Sequence, residues 1–336
     1  MPFSLAVNSN IYERCVNLKK LIIQIPCFNE EESLPITLGD LPRKIEGVEV
    51  VEWLIIDDGS SDKTVEIAKK HGVDHIVRHI HNLGLARAFM TGIDACLRLG
   101  ADIIVNTDGD NQYFGGDIPK LIQPILNQSA EIVVGERPIS TIEHFSVTKK
   151  YLEKIGSWFV RKVSRTNIPD APSGFRAFSR DAAMHIRVFN EYTYTLETII
   201  QAGQKNMAIT SVPVRTNKIL RKSRLFGSIW GYINKTVPII LRIFMTYQPF
   251  TFFVTPGVFL SAFGFLLGAR FIYFLAIGQG SGHIQSLILS AVLMILGGLL
   301  ILVGLLADLI SVNRKMLEQI DYRIQKLSDF EKMKKE

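Results

Sequence analysis

Two carboxylates stand one residue apart at the end of a predicted buried strand. The stretch VNTDGDNQY, residues 105–113, contains Asp108 and Asp110, and Gln112 follows two positions later. Carboxylates this close together repel one another unless a positive charge lies between them. Carboxylate and amide oxygens are the ligands that hard divalent cations such as Mg²⁺ or Mn²⁺ prefer. The spacing therefore indicates a cation at this strand end.

Polar side chains also follow two other predicted strands. PCFNE, residues 26–30, comes after the first strand, and DDGSS, residues 57–61, comes after the second. Taken singly, each pattern has a structural explanation, because Asp-Asp-Gly-Ser is a good turn and D-x-D occurs often by chance. The carboxyl ends of parallel strands meet at one edge of a sheet, where ligands bind. Three acidic strand ends at one edge predict a Mg²⁺ or Mn²⁺ ion that holds a diphosphate.

The elements that must position these residues are predicted from apolar runs that alternate with helical patterns. Helices are predicted over residues 60–70, with Ser60 as the cap, and over 84–99. This alternation implies an α/β fold with a parallel sheet covered on both faces. A dinucleotide dehydrogenase is not supported, because no G-x-G-x-x-G follows the first strand. The predicted strands are residues 21–25, 50–57, 75–80, 101–107 and 131–135.

The cysteines and most histidines carry no predicted site. None of the three cysteines lies in a C-x-x-C pair, so the sequence predicts neither a disulfide framework nor a zinc site. Four histidines cluster in sequence at a helix end and an edge strand, where we expect ordinary surface side chains. They are His71, His75, His79 and His81.

The carboxy-terminal quarter is far more apolar than the rest of the chain. Hydrophobic residues make up 47% of the 336 residues, and they concentrate in two runs, 249–277 and 284–310. Each run exceeds the roughly 20 residues that cross a bilayer, which predicts two transmembrane helices. Only GQGSGH separates them, so they should form a hairpin. Buried core helices are a weak alternative at this length and purity.

The basic residues surround this apolar region. A formal net charge of +6 could indicate nucleic acid, but the Lys and Arg residues crowd into 215–224 and into the tail after 310. A membrane surface explains them better, and no nucleic-acid partner is predicted. The positive-inside rule places the globular part and both termini in the cytoplasm. The sequence therefore predicts a multi-pass protein of the inner (plasma) membrane.

Six short motifs occur in the order seen in family 2 glycosyltransferases, which the chain resembles over about residues 20–245. The closest resemblance is to the polyprenyl-phosphate group, which contains dolichyl-phosphate mannose synthases and bactoprenol glucosyltransferases. It implies a GT-A fold, an inverting mechanism and a nucleotide-sugar donor. The chain departs from the group at Gly109, where Ala is frequent, and in the basic loop, which reads RKSR in place of GESK. The motifs are PxxNE (26–30), DDGSxD (57–62), NxGLAxAxxxG (82–92), DxDxQ (108–112), GxR (135–137) and SGFR (173–176).

The resemblance also implies an organisation of the whole chain, and its carboxy-terminal hairpin matches the bactoprenol branch. Residues 226–248 have apolar positions near helical spacing with Lys235 and Arg242 interleaved, which predicts interfacial amphipathic helices broken at Pro238. The predicted segments are a flexible tail (1–18), a cytoplasmic GT-A catalytic domain (19–225), the interfacial helices (226–248), two transmembrane helices (249–277 and 284–310) and a basic cytoplasmic tail (311–336).

The donor site can be carried over from these motifs residue by residue. Either Asp57 or Asp58 is expected to accept a hydrogen bond from the nucleobase. Asp108 should face the ribose and sugar, while Asp110 and Gln112 ligate Mg²⁺ or Mn²⁺. Further expected donor-site residues are Pro26, Asn29, Glu30 and Gly109, and, for the diphosphate, Arg137, Arg221 and Arg224.

The acceptor implied by the resemblance is undecaprenyl phosphate or another polyprenyl phosphate in the lipid bilayer. A phosphate is already anionic near neutral pH, so a strong general base is less necessary than for a hydroxyl acceptor. Asp170 is a candidate for orienting acceptor or sugar, and a turn residue before Pro172 is an equal alternative. Ser173 and Arg176 are candidates for binding the acceptor phosphate.

UDP-glucose is the first donor to consider, because the closest resemblance is to bactoprenol glucosyltransferases. GDP-mannose and UDP-linked aminosugars stay open, as does a non-enzymatic membrane-anchored nucleotide-sugar-binding subunit. A processive polysaccharide synthase should carry a Q-x-x-R-W stretch and more membrane spans, and neither is present. Two-span proteins with interfacial helices often associate, so a homo-oligomer is among the partners considered.

Overall fold

The protein divides into two units, Met1–Leu225 and Phe226–Glu336, and we describe each by itself. The structure is a computed structural model. It describes residues 19–138, 161, 164, 166–188, 194–217, 238 and 241–333. The predicted tail (1–18), Arg221, Arg224 and most of the predicted interfacial segment lie outside these residues.

The first unit is built around a seven-stranded sheet in the order β3-β2-β1-β4-β6-β5-β7. Strands β1, β2, β3 and β4 run parallel to one another, whereas β6 runs antiparallel to both of its neighbours. The strands are β1 (Lys20–Cys27), β2 (Val50–Asp57), β3 (His75–Arg78), β4 (Ile103–Asn106), β5 (Ile132–Glu136), β6 (Arg176–Ser179) and β7 (Ile209–Pro213).

Six helices connect these strands within the described residues. A 3₁₀ turn, Gly115–Asp117, precedes the fourth of them. The helices are α1 (Leu34–Asp40), α2 (Thr64–Lys70), α3 (Leu85–Arg98), α4 (Ile118–Leu126), α5 (Arg180–His185) and α6 (Thr195–Gln204).

The central strand β1 shows why the apolar runs become strands buried on both faces. Alternate side chains of a strand point to opposite faces of the sheet. Leu21, Ile23 and Ile25 belong to a core cluster that includes residues of α1 and α4. On the other face, Gln24 lies so close to Gly92 of α3 that a Cβ there would come within 2.3 Å of the Gln24 Oε1 atom. A continuous apolar run is therefore what this position in the sheet requires.

The five predicted strands run in one direction, as expected, but the sheet as a whole is mixed, because the sequence reading missed β7 and the antiparallel strand β6. Strand β6 is only four residues long and overlaps the SGFR motif, and β7 is half-buried and ends at Pro213. Because β6 is antiparallel to β4, it begins where β4 ends, and Asn106 pairs with Arg176. The amino end of β6 and the carboxyl ends of the other strands therefore share one edge of the sheet.

The predicted helix over 60–70 is also corrected, since α2 begins at Thr64 and Ser60 does not cap it. The Ser60 hydroxyl instead accepts a hydrogen bond from the Asn29 amide at 2.9 Å. The side chain of Asp62 accepts from the Thr64 amide at 3.0 Å, at the first residue of the helix. Residues 58–63 thus form a turn tied to the end of β1.

The second unit contains two long apolar helices, α7 (Pro249–Ala276) and α8 (Ile284–Met333), with a 3₁₀ turn at Gly280–His283 between them. Both are long and apolar enough to cross a membrane. They approach closely at small residues: Ser290 donates to the Gly264 carbonyl at 2.6 Å, and a Cβ at Gly257 would lie 2.9 Å from the Gly297 carbonyl oxygen. The predicted span 284–310 is the first part of a helix that continues unbroken to Met333.

Candidate active site

Residues from six places in the sequence meet at the edge of the sheet described above. The strands β1, β2, β4, β5 and β7 end there, and the antiparallel strand β6 begins there. Most of the predicted site motifs therefore lie at this edge, because each of them directly follows or precedes one of these strands. The residues at the edge are 26–30, 57–60, 107–112, 137, 173–176 and 214–217.

The end of β2 presents two aspartates that the protein itself neutralises. Asp57 is buried, accepts from the Ser60 amide at 3.1 Å, and its second oxygen lies 2.9 Å from Arg78 Nε. The Asp58 carboxylate accepts from the Leu83 and Gly84 amides, both at 2.9 Å, and lies 2.7 Å from His79 Nδ1. Both oxygens of Asp58 are therefore committed to the loop that precedes α3.

His79 corrects the prediction of an ordinary surface histidine. Its side chain is only 9% exposed, and its second ring nitrogen lies 3.0 Å from the Thr91 hydroxyl on α3. The imidazole thus bridges the end of β2 and α3. Beside it lies an open cavity of about 320 Å³, lined by Gly59, Ser60, Arg78, His79 and Ile80.

The loop after β1 is held against the turn after β2. Asn29 has a φ of 55°, and its side-chain oxygen accepts from the Ser61 amide at 2.9 Å. The Glu30 amide donates to the Thr64 hydroxyl at 2.8 Å, and its carboxylate accepts from Ser33 at 2.6 Å. Asn29 and Glu30 therefore fix the position of this edge, and Pro26 is the seventh residue of β1.

The loop after β4 carries the D-x-D-x-Q motif and is anchored through its backbone. The Gly109 carbonyl accepts from the Thr37 hydroxyl at 3.1 Å, and the Gln112 carbonyl accepts from the Asn217 amide at 3.0 Å. Asp110 accepts from the Gln112 amide at 3.1 Å, which closes a tight turn. The side chains of Asp110 and Gln112 are half-buried.

The Asp108 carboxylate is left without a hydrogen bond or an ion pair within the described residues. Burial, and next the nearby charge of Asp110, raise the pKa of Asp108 to about 7. The backbone of Gly174 passes directly over it, and a side chain there would come within 3.1 Å of a carboxylate oxygen. The same side chain would lie 2.8 Å from the Tyr194 hydroxyl oxygen, so glycine is favoured at this point of the SGFR motif.

The donor set fits a divalent cation that is shared with a substrate. Hard cations take oxygen ligands, and Asp108, Asp110 and Gln112 offer two carboxylates and an amide. In the described part of the chain, no three His, Cys, Asp or Glu side chains converge as a closed metal site. Protein ligands alone are too few, so other coordination places would fall to phosphate oxygens, as is usual for Mg²⁺.

Arg137 and Asp170 form a buried bidentate pair. The Arg137 guanidinium donates to both carboxylate oxygens at 2.8 Å, and its amide donates to one of them at 3.1 Å. Both side chains are nearly inaccessible. The structure therefore places Asp170 as the group that orients Arg137, a role that neither sequence alternative had considered.

Arg176 lies in the interior and does not present its guanidinium to the edge. It donates to the carbonyls of Ser173 and Ala171 at 2.8 and 2.7 Å, and it also donates to the Thr198 hydroxyl. Burial lowers the pKa of Arg176 to about 10. This position does not suit the predicted contact with an acceptor phosphate, because its donors hold the 171–173 turn. The Ser173 hydroxyl is buried and has no hydrogen-bond partner within the described residues.

Sequence reasoning missed a second layer beneath Asp108. Asn106 donates to the Gly174 carbonyl at 2.9 Å and to the Tyr194 hydroxyl at 2.8 Å. The Tyr113 hydroxyl accepts from the Gly174 amide at 2.9 Å. These contacts span 61 to 88 residues of sequence. The only local signal was a polar Asn106 inside an otherwise apolar strand.

The predicted basic loop starts beside the D-x-D-x-Q loop. Arg215 donates to the buried Asp117 carboxylate at 2.7 Å, and Phe114 donates its amide to the Arg215 carbonyl at 3.2 Å. Tyr113 and Thr216 form an isolated β-bridge. Arg215 is therefore an anchor, and the predicted diphosphate ligands Arg221 and Arg224 lie outside the described residues.

The chain is similar in sequence to known glycosyltransferases. Residues 22–187 match the family model Glycosyl transferase family 2. The chain is 31% identical over 222 residues to a UDP-N-acetylglucosamine–dolichyl-phosphate N-acetylglucosaminyltransferase of Methanococcus voltae, covering 59% of this chain and 86% of that one. It is 26% identical over 223 residues to an undecaprenyl-phosphate mannosyltransferase of Micrococcus luteus, covering 63% and 90%.

The predicted fold is confirmed by a solved structure. A glucosyl-3-phosphoglycerate synthase from Mycobacterium tuberculosis, in complex with Mn²⁺, uridine diphosphate and glucosyl-3-phosphoglycerate, has a TM-score of 0.55. The similarity covers 74% of this chain and 86% of that chain at 14% sequence identity. At this identity the likeness concerns the fold alone, which is of the GT-A type.

Proposed function

The chain belongs to glycosyl transferase family 2, and from that premise we propose that it transfers a sugar from a nucleoside-diphosphate donor to a polyprenyl phosphate in the membrane. The observation that carries the proposal is the Asp108–Asp110 loop. Within the described residues its two carboxylates accept one backbone hydrogen bond between them, whereas Asp57 and Asp58 at the same edge are paired with Arg78 and His79. The named relatives act on polyprenyl phosphates, and two apolar helices supply a membrane anchor.

Asp57 and Arg78 are the proposed contacts of the nucleobase. Asp58 is a poor candidate, because the loop before α3 uses both of its oxygens. Within the described residues, the Asp57 Oδ2 atom contacts only Arg78, and Arg78 lines the 320 Å³ cavity. A carboxylate beside a guanidinium complements a uracil edge, on which an N–H donor lies next to a carbonyl acceptor. Pro26, Asn29 and Glu30, at the neighbouring end of β1, are further proposed donor-site residues.

The proposed site for the diphosphate is the loop after β4 together with Arg137. Asp110 and Gln112 would hold Mg²⁺ or Mn²⁺, and Asp108 would face the ribose and sugar. A bound divalent cation supplies electrostatic stabilisation of the departing diphosphate. The chain leaves the edge at Asn217, and residues 221 and 224 follow within about 14 and 25 Å of extended chain. Arg221 and Arg224 are thus within reach of the same diphosphate.

The acceptor phosphate attacks the anomeric carbon in the proposed reaction. A phosphate oxygen forms a bond to that carbon on the face opposite the diphosphate, whose bond to the sugar breaks, so the configuration inverts. No proton has to be removed from the acceptor, because its phosphate is already anionic near neutral pH. Asp170 keeps Arg137 in place, and the Ser173 hydroxyl is the proposed donor to the acceptor.

A donor panel tests this function. Purified protein is incubated with undecaprenyl phosphate and Mg²⁺ or Mn²⁺, and release of the nucleoside diphosphate is measured. UDP-glucose is the first donor to test. UDP-N-acetylglucosamine and GDP-mannose follow, because the names of two relatives contain N-acetylglucosamine and mannose as the transferred sugars. We expect turnover with one donor, only when lipid phosphate is present. Binding of a donor without turnover on any polyprenyl phosphate would support the non-enzymatic alternative.

We propose that both apolar helices cross the inner membrane and that both termini are cytoplasmic. The Lys and Arg residues before α7 and in the second half of α8 support this orientation, because the turn between the helices has none. A cysteine in GQGSGH should react with an impermeant thiol reagent from outside the cell, whereas one at position 315 should not. The reverse labelling pattern would contradict the orientation.

A further inference from the structure

Helix α8 is much longer than a membrane span requires. Its apolar part ends near Ile310, and the helix continues to Met333. At 1.5 Å per residue this continuation is about 35 Å long. It contains no Gly or Pro after Gly304, the residues at which helices usually kink. If α8 crosses the bilayer as proposed above, the continuation projects away from the membrane and lipid does not cover it.

The continuation nevertheless exposes a line of large apolar side chains, which we name the α8 seam. Its members are separated by three, four and three residues and are between 53% and 66% exposed. Alternating steps of three and four residues are the heptad spacing of a coiled-coil seam. The α8 seam consists of Leu317, Ile320, Ile324 and Leu327.

The protein's own second unit packs on a different side of α8. The Arg314 guanidinium lies 4.2 Å from the ring centre of Tyr247, and Arg314 and Glu318 are paired one turn apart. Neither residue belongs to the α8 seam. Lys315 and Gln319, which also lie outside the seam, are fully polar and exposed. The seam is therefore an apolar stripe, with the exposed Met316 beside it, on a different side of α8 from the contact with Tyr247.

We propose that the α8 seam binds the same seam of a second copy of this chain, forming a parallel coiled coil next to the membrane. Two copies inserted in the same direction bring identical helices together in parallel, so equivalent seam residues face each other. Upstream, Val303, Leu306 and Ile310 have the same spacing and are exposed, and the position between Ile310 and Leu317 in this pattern is the polar Asn313. Confinement in one membrane raises the effective concentration of the copies, which allows a short seam to suffice.

Disulfide cross-linking in native membranes tests this pairing. Single cysteines are placed in the full-length chain at seam positions (Leu317→Cys, Ile324→Cys) and at exposed positions off the seam (Lys315→Cys, Gln319→Cys). Cys15 is replaced by Ser in every variant, and that background without a new cysteine is the blank. Under mild oxidation we expect about tenfold more disulfide dimer at the seam positions. Residues 317 and 324 are one heptad apart, and in a parallel coiled coil each would face the same residue of the other copy. Equal yields at all four positions, or no dimer at any, would overturn the proposal.

A charged substitution in the α8 seam provides a second test of the pairing. Ile320→Glu should shift the detergent-purified protein to a smaller molecular mass by light scattering, whereas Gln319→Glu should leave the mass unchanged. Membrane insertion of both variants is checked by resistance to carbonate extraction. An unchanged mass for Ile320→Glu would contradict the pairing, as would a wild-type protein that is monomeric. Nucleoside-diphosphate release is assayed in the same membranes, so loss of the proposed transferase function is seen separately from loss of assembly.

Discussion

The ends of β2 and β4 both present a pair of aspartates, yet the protein treats the two pairs in opposite ways. Around Asp57 and Asp58 it places a guanidinium, an imidazole and three backbone amides. Around Asp108 and Asp110, the described residues supply one backbone amide, from Gln112. The first pair is satisfied by the fold, and the second is left for something that the fold does not contain.

The difference follows from what the neighbouring strands carry. Strand β2 lies beside β3, which ends in Arg78 and is followed by His79, so cationic and hydrogen-bonding side chains arrive at that corner. Strand β4 lies between β1 and β6, where Glu30 adds a further negative charge and the backbone of Gly174 lies close to Asp108. Arg137 and Arg176 act on Asp108 through their charge without a hydrogen bond to it. The position of an acid pair in the sheet thus decides how many of its oxygens the fold itself uses. The same substitution at the two pairs should have different consequences.

The largest effect is expected for Asp110→Asn. It removes a charge that the fold does not use, while the asparagine oxygen can still accept from the Gln112 amide. We expect a loss of about 10³-fold in turnover, since a metal ligand contributes several kcal/mol to stabilising the departing diphosphate. Thermal unfolding should be unchanged. Nucleoside-diphosphate release and Mn²⁺ binding by electron paramagnetic resonance measure the two parts.

Wild-type turnover in Asp110→Asn would assign the loop a structural role. Full activity of the unchanged protein in excess chelator would separately remove the metal from the proposal. Reduced Mn²⁺ binding together with normal folding is the expected combination.

The matched substitution Asp58→Asn should act on stability instead. An asparagine has one acceptor oxygen, and its NH₂ group would face one of the Leu83 and Gly84 amides. Loss of buried charge-assisted hydrogen bonds costs about 2–4 kcal/mol. We expect the unfolding temperature of the full-length protein in detergent to fall well below that of Asp110→Asn. Equal unfolding temperatures for the two variants would contradict the contrast between the pairs.

The sequence predicted the loops of the site better than the hydrogen bonds that join those loops. The apolar runs of β1, β2 and β4 and their polar ends are local signals, and the D-x-D-x-Q and SGFR motifs were found without the structure. The partners of those motifs are distant in sequence: Tyr194 lies 88 residues from Asn106. No periodicity or propensity reports a hydrogen bond across that separation.

The errors have the same physical origin. Strand β6 is four residues long and has no alternation that distinguishes it from a loop. Its antiparallel direction is set by the order of strands in the sheet, which a single sequence does not contain. Arg176 was therefore read as an exposed phosphate ligand, whereas the β6–β4 pairing turns it into the interior. His79 was misjudged because its partner Thr91 lies on a helix that packs over it.

An intermediate effect is expected for Asp57→Asn, which should alter the donor site and not the metal. The remaining oxygen can accept from the Ser60 amide, but the group beside Arg78 can no longer accept from a nucleobase. We expect the KM for the donor to rise about tenfold, the equivalent of one lost hydrogen bond. The kcat should change less, and Mn²⁺ binding should be retained. A donor KM equal to that of the wild type would assign Asp57 to the fold, like its neighbour.

The smallest effect is expected for a substitution that moves Asp108 and Asp110 and leaves both of their charges in place. A Cβ at Gly109 would lie 2.9 Å from Cys27 Sγ and 3.3 Å from Glu30 Cγ, so Gly109→Ala must displace the loop between Asp108 and Asp110. Overpacking of this kind costs about 1–3 kcal/mol, and we expect a fall of roughly tenfold in turnover. Cys27→Ala alone should be nearly neutral, and the double substitution should recover most of the activity because the methyl group then has room. A double variant as slow as Gly109→Ala would show that the position of the loop is set elsewhere, and recovery would show that Cys27 is the residue that makes glycine necessary in this chain.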